Sequence, residues 1–457
     1  MSITAPTADA AAGTVMYEFV RQRESRARTY ATRFDRVFGE ALGTRLYDTE
    51  GRPYLDCLAA AGTLALGHNH PYVVHAVTEF LRSNRIQQAL DLTTPAKYQF
   101  LRKLYECLPW EFAVHARVQF CGPSGADAVE AALKLFKTAT GRSAVLAFHG
   151  AYHGMSGGSL ALTGNLAAKA RIGSLLPDVH HLPYPYPYRC PFGLGEAGSD
   201  ASLSYLHRVL TDPEGGITKP AAIVLEAVQG EGGVIPPPAE WLRGVRRITA
   251  QADVPLVVDE IQTGFGRTGV MFAFEAAGIE PDAIVVSKAV GGGYPLSLLL
   301  YHEKYDLWSP GAHAGTFRGN QIAMVAGAAT LEVLNQQQLA PAARQKGEYL
   351  RPGLLELASR HPAIGDVRGR GLMWGLEIVD RDGPADSLGS LPADGARARA
   401  IQRACLDNGL ILETGGRNGA VVRLLPPLII DRAELDEVVE KLDHALSVTD
   451  VRPRDRG

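Results

Sequence analysis

The sequence predicts an α/β protein: a mostly parallel sheet in a large domain, followed by a smaller α+β domain. Three observations carry this. Short apolar runs, among them AVLAF, AAIVL, PLVV and AIVV, alternate with stretches of helical periodicity. Strands that are apolar throughout are buried on both faces, which requires helices above and below the sheet. The composition shifts near Asn335, where a helical and polar segment begins, and 457 residues exceed what one hydrophobic core usually serves.

Taken in order, residues 1–14 are Ala/Thr-rich and are expected to form a flexible tail. Residues 15–70 are expected to pack with the small domain. Within them, GTRLYDTEGRPYLDCLA alternates apolar positions around the turn Asp48–Gly51 and predicts a hairpin. The large domain is expected over 71–335. It opens with a helix near Pro71–Arg82, apolar at Val73, Val74, Val77 and Leu81. ARVQF, RSAVLAFHG, AAIVLEAVQG, PLVVDEI, AIVVSKAV and LSLLLYH are its strand candidates, and ADAVEAALKLFKTA is a helix after the first of them. The small domain is expected over 336–457, with 380–395 as a solvated loop. No internal repeat is evident.

Composition narrows the function classes. Hydrophobic residues make up 46% and charged ones 21%, with a formal net charge of -3 and no long basic run, so nucleic acid is not an expected partner. No apolar run approaches the roughly 18 residues that span a membrane. The first ten residues have no signal-peptide pattern. Cys57, Cys107, Cys121, Cys190 and Cys405 are scattered, without Cys-x-x-Cys. Neither a disulfide framework nor a zinc site is expected, and a reducing cytoplasm is the default setting.

The chemistry concentrates in PLVVDEIQTGFGRTG, residues 255–269, and PDAIVVSKAVGGG, residues 281–293. Each apolar run ends near one ionisable residue, Asp259 and Lys288. A lysine at a buried strand end loses its charge or is used covalently. Lysine can hold an aldehyde cofactor as a Schiff base, and an aspartate can hold that cofactor's pyridinium nitrogen. The pair therefore predicts pyridoxal phosphate (PLP).

Other motifs admit a functional and a bland reading. CGPSGADAVEAALK, residues 121–134, places Ser124 and Gly125 at a helix start, where free N–H groups suit a phosphate. An ordinary capped helix accounts for the same residues. It is neither a Walker A loop nor G-x-G-x-x-G. FHGAYHG, residues 148–154, spaces His149 and His153 like zinc ligands, but its glycines disfavour a helix, and no carboxylate partner is obvious. Tyr152 at this strand end suits stacking on an aromatic ring, or is a packed loop aromatic. His68 and His70 in GHNHP need only a turn before a helix. Glu231, in AVQGEGG, is either solvated or at the ligand-binding edge of the sheet. GAHAGTFRGN, residues 311–320, is a connection or a phosphate contact through Thr316. Arg423, in AVVRLLPP, wants a planar anion, from the protein or from a substrate.

Together, the run VVDEIQTGFGRTG…PDAIVVSKAVGGGYPL and the order of the other motifs resemble the class III PLP-dependent aminotransferases of fold type I over nearly the whole chain. RQRESRARTY, CLAAAGTLALGHNHP, LDLTTPAKYQF, LPYPYPYRCPFG and AGTFRGNQIA look like those class members that exchange amino groups between diaminobutyrate and 2-oxoglutarate. The resemblance implies a seven-stranded sheet and a homodimer with shared active sites. It implies Lys288 as the Schiff-base lysine, Asp259 on the pyridine nitrogen, Gln262 near the ring oxygen, and Tyr152 stacked on the ring, with His153 in the cofactor set. Ser124, Gly125 and Ala126 would hold the phosphate, helped by Thr316 from the other subunit. Arg423 would take a substrate α-carboxylate, with Glu231 pairing it when an ω-amine is the donor. The small-molecule partners implied are an amino donor and a 2-oxo acid. Related ω-aminotransferases often carry Arg where this chain has Met155, so the holder of a second carboxylate is unassigned. Another ω-aminotransferase (ornithine, 4-aminobutyrate or lysine) and a PLP aminomutase or racemase are the alternatives.

Overall fold

The computed structural model describes residues 8–450, with side chains from residue 13 onward. Residues 1–7 and 451–457 lie outside the described residues. Ala8–Thr14, expected within the tail, are the first turns of a helix, Ala8–Arg23. The Ala-rich start that resembles a tail also has high helix propensity.

The chain then forms strands β1 (Phe38–Leu42), β2 (Arg45–Asp48) and β3 (Pro53–Asp56). β2 and β3 are the expected hairpin, with the Gly51 N–H donating to the Asp48 carbonyl at the turn. The helix Pro71–Arg82 follows, burying Val73, Val77 and Phe80.

The central sheet is built from β4 (Ala116–Phe120), β5 (Val145–Phe148), β6 (Val179–Leu182), β7 (Ala222–Glu226), β8 (Leu256–Asp259), β9 (Ala283–Val286) and β10 (Leu298–His302). Its seven strands lie in the order β4-β10-β9-β8-β7-β5-β6. The contacts from β9 through β6 are parallel, whereas β10 runs antiparallel to both β9 and β4. Every residue of β5, β7, β8 and β9 is buried, the consequence of helices on both faces. The six strand candidates all form. β6 is absent from the candidates because VHHL has no apolar run; as an edge strand it is only partly buried and needs none.

Two smaller sheets complete the fold. β11 (Ile364–Arg370), β12 (Met373–Ile378), β14 (Glu413–Gly415) and β15 (Val421–Leu424) pair antiparallel in the order β11-β12-β15-β14. β13 (Leu410–Ile411) joins β3 in parallel, so the segment near residue 410 extends the N-terminal hairpin sheet.

Candidate active site

Because the strands on either side of β10 share one direction, the segments leaving β4, β5, β7, β8 and β9 emerge at one sheet edge. That edge is where open α/β sheets bind ligands. Cys121–Ser124, His149–His153, Glu226, Asp259 and Lys288 are all on or just past these strand ends.

Lys288 begins a short 3-10 turn after β9 and has φ +50. A lysine in this left-handed region is strained backbone, the kind that persists where the surrounding structure enforces it. Its side chain makes no hydrogen bond or ion pair with the described residues. Burial lowers its pKa below the ordinary lysine value; Glu231 opposes this and Arg423 adds to it.

Asp259 ends β8 and is 4% exposed. Its Oδ1 accepts the Ile261 N–H at 3.0 Å, and its Oδ2 lies 2.8 Å from His153 Nδ1. Burial alone would lower the imidazole's pKa, but the bond to Asp259 more than offsets this and raises it. His153 thus stands behind Asp259 and orients it; its own Nε2 is buried without a hydrogen-bond partner. Glu226 is the register neighbour of Asp259 across β7 and β8. It accepts the N–H groups of Tyr152 and Gly230, each at 2.9 Å, and burial pushes its carboxyl up to about 7. Glu226 therefore fixes both the Tyr152 loop and the start of the Glu231 loop. The signal that identifies it is the one that identified Asp259: an acid closing an apolar strand.

Ser124 is exposed at the N-cap of the helix Gly125–Thr140, and its hydroxyl caps nothing. The first N–H groups of a helix have no internal partner. Gly125 packs against the Ile261 side chain, and a Cβ there would meet Ile261 Cδ1 at 2.7 Å and make that side chain shift. Ala126 follows in the same turn. Asp127 accepts the Gly122 N–H and lies 3.1 Å from His313 Nε2, which ties the 311–320 loop to this helix start. Thr316 itself is exposed and makes no hydrogen bond with the other site residues.

Gln262 donates to the Ala61 carbonyl at 3.1 Å, leaving Oε1 buried without a partner. Gly230 packs against this amide, and a Cβ there would collide with it. His68 pairs with Asp56 at 2.8 Å and His70 only precedes the helix Pro71–Arg82, without a side-chain capping bond. Met155 is 57% exposed.

Arg423 is fully buried in β15. Its Nη2 donates to Glu231 Oε1 at 2.7 Å, which brings together the two residues predicted as a pair. The structure adds a second carboxylate: Glu413 Oε2 is also 2.7 Å from Nη2. The Tyr30 hydroxyl lies beside Glu413, and Arg33 donates to the Thr414 carbonyl at 3.2 Å. Glu413, Tyr30 and Arg33 were missed as site residues. Glu413 follows LIL as Asp259 follows LVV, but pairing it with Arg423 needs the register of β14 against β15.

This set fits pyridoxal phosphate. An amine without a protein partner, a carboxylate fixed by histidine and an unused helix N-terminus share one sheet edge, and these are the contacts its aldehyde, ring nitrogen and phosphate require.

The family model described as aminotransferase class-III matches residues 27–446. A diaminobutyrate–2-oxoglutarate aminotransferase of Rhizobium meliloti is 55% identical over 91% of this chain and 89% of its own length. Its namesake from Haemophilus influenzae is 49% identical, with 93% of each chain covered. Among solved structures, a PLP-bound amine transaminase from an uncultivated Pseudomonas species superposes with a TM-score of 0.83 at 27% identity, covering 93% of this chain and 98% of that one. The chain belongs to the class-III aminotransferases.

Proposed function

We propose that this chain is a PLP-dependent ω-aminotransferase interconverting L-2,4-diaminobutyrate plus 2-oxoglutarate and L-aspartate 4-semialdehyde plus L-glutamate. The observation that carries it is the Lys288–Asp259 pair facing an Arg423 already neutralised by Glu231. The relatives' names support the substrates. Bound at this edge, the cofactor supplies an electron sink for charge developing at the amine-bearing carbon.

The chain's own groups do the rest. Lys288, with its pKa lowered by burial, is the base that takes and returns the proton at that carbon. Asp259, oriented by His153, would hold the ring nitrogen. Ser124, Gly125 and Ala126 would anchor the phosphate, with Tyr152 over the ring. Diaminobutyrate reacts through its terminal amine and glutamate through its α-amine, so one site serves two registers. The Glu231–Arg423 pair is the switch: closed, it neutralises Arg423; open, it frees Arg423 for glutamate's α-carboxylate. The working form is a homodimer in which Thr316 completes the partner's site, and the setting is the cytoplasm. Among the described residues no helix is long and apolar enough to cross a membrane.

A donor panel with 2-oxoglutarate, quantifying glutamate and each carbonyl product, tests the reading. Diaminobutyrate should exceed ornithine, lysine and 4-aminobutyrate. A win by any of these removes the substrate assignment and leaves the class. Lys288→Ala should abolish turnover; retained turnover would remove the assigned base.

A further inference from the structure

Arg423 meets its carboxylates through one nitrogen, while its Nε and Nη1 are buried without hydrogen-bond partners. One guanidinium nitrogen faces two carboxylates at the same 2.7 Å, yet the two contacts differ. Glu231 accepts an aligned hydrogen bond, and its pair with Arg423 already balances the charge. Glu413 is close in distance only: its Oε2 is buried without a hydrogen-bond partner. Glu413 is 4% exposed, and burial raises its carboxyl's pKa despite Arg423. A buried carboxylate left one donor short is costly, and a neutral or apolar residue would pack more stably at this position. Its location is also specific. It stands directly opposite Arg423 in the β14–β15 register, its charge is felt at Lys288, and Tyr30 lies beside it.

The geometry points to Glu413 as the specificity-determining carboxylate of this site: it receives the second, unreacting ammonium of a diamino acid donor while the donor's terminal amine stands at Lys288. This rests on the ω-aminotransferase reading above and names the group that recognises its donor. An α-ammonium supplies what Glu413 lacks, a donor to Oε2. Glutamate offers no such group, because its one amine is the reacting one. 4-Aminobutyrate has a terminal amine and no second ammonium, so it separates recognition by Glu413 from ω-amine chemistry in general.

The experiment uses the cofactor-loaded enzyme and measures single-turnover half-reactions with diaminobutyrate, 4-aminobutyrate and glutamate. Glu413→Gln keeps the shape and removes the charge. A charged hydrogen bond of this kind corresponds to about 10–100-fold. Glu413→Gln should therefore lower kcat/KM for diaminobutyrate at least tenfold more than for 4-aminobutyrate or glutamate, with the loss mainly in KM. Glu413→Asp, which keeps the charge but withdraws it by one methylene, should give a smaller loss in the same order; it carries the test if the Gln variant does not fold. Equal losses on all three donors, no loss, or a larger loss on glutamate would overturn the assignment. The wild-type panel separates the two readings. If ornithine or lysine is preferred, the diaminobutyrate assignment falls and Glu413 is read on that donor. A wild-type preference for 4-aminobutyrate overturns the Glu413 assignment.

Discussion

At the residue scale the site turns on what each carboxylate near Arg423 does. Glu231 is half-buried at a loop, whereas Glu413 is held in a strand. Only the loop residue is placed to swing away, which makes Glu231 the moving half of the proposed switch. Glu231→Ala should reduce the half-reaction of every ω-amine donor by about tenfold or more, the scale of one charged hydrogen bond, and change the glutamate half-reaction less. Stopped-flow half-reactions check this, and equal losses would sink the switch. The pattern differs from that expected of Glu413→Gln, which should spare 4-aminobutyrate. Asp259, Lys288 and Arg423 are legible in the sequence because each is an ionisable residue at the end of, or inside, an apolar run, and Glu231 because it stands among glycines just past one. Glu413 has the same local signature, but its partner comes from another strand, and no local pattern reveals that.

At the element scale, the site depends on how β8 and β9 are held. Asp282, just before β9, is 5% exposed. It accepts the Leu256 N–H at 3.0 Å, Arg246 Nη1 at 2.6 Å and the Tyr305 hydroxyl at 2.9 Å, and pairs with Lys304 at 3.0 Å. One carboxylate thus joins the start of β8, the helix Ala239–Gln251 and the segment after β10. Burial would raise its pKa; Arg246, the Leu256 N–H and Lys304 together lower it. A lowered carboxyl contributes stability above the ordinary carboxylate range, lost as pH falls through the lowered value. Asp282→Asn should therefore cost about 2–3 kcal/mol at neutral pH, at or below the lower end of the range for breaking a buried pair, because Arg246 and Lys304 stay partly in solvent. Denaturant midpoints should show a constant gap to wild type near neutral pH that narrows below about pH 4. A gap that widens in acid would refute this role. The apolar strands themselves were readable because burial on both faces writes a continuous run. β6 escaped because an edge strand carries no such constraint.

At the scale of the whole molecule, the apolar surface is informative. Ile86, Leu90, Leu92 and Tyr98 are 57%, 53%, 60% and 56% exposed, and Phe317, beside Thr316, is 60% exposed. Gly319 packs against Leu90, so this apolar surface and the Thr316 loop adjoin each other. Such a patch, next to a loop whose predicted partner lies outside its own subunit, supports a homodimer. Sedimentation equilibrium should give twice the chain mass at micromolar concentration. Phe317→Asp should shift it toward one chain mass and lower activity at least tenfold at nanomolar enzyme, by mass action on a dissociated dimer. A monomeric, fully active wild type would exclude the shared site.

The sequence by itself determined the fold class and singled out Asp259 and Lys288 as the candidate pair. Both follow from patterns local to a strand: continuous apolar runs, and the ionisable residue that closes each one. Tertiary structure alone decided which of these residues meet. It put His153 behind Asp259, set Glu226 beside Asp259 in register, and brought Glu231, Glu413, Tyr30 and Arg33 from distant segments around Arg423. The physical reason is the range of the interactions. Burial of a strand is recorded in its own few residues, whereas the surroundings of one buried guanidinium are settled among groups far apart in the chain, Tyr30 and Arg423 at the extremes, that only the folded chain brings together.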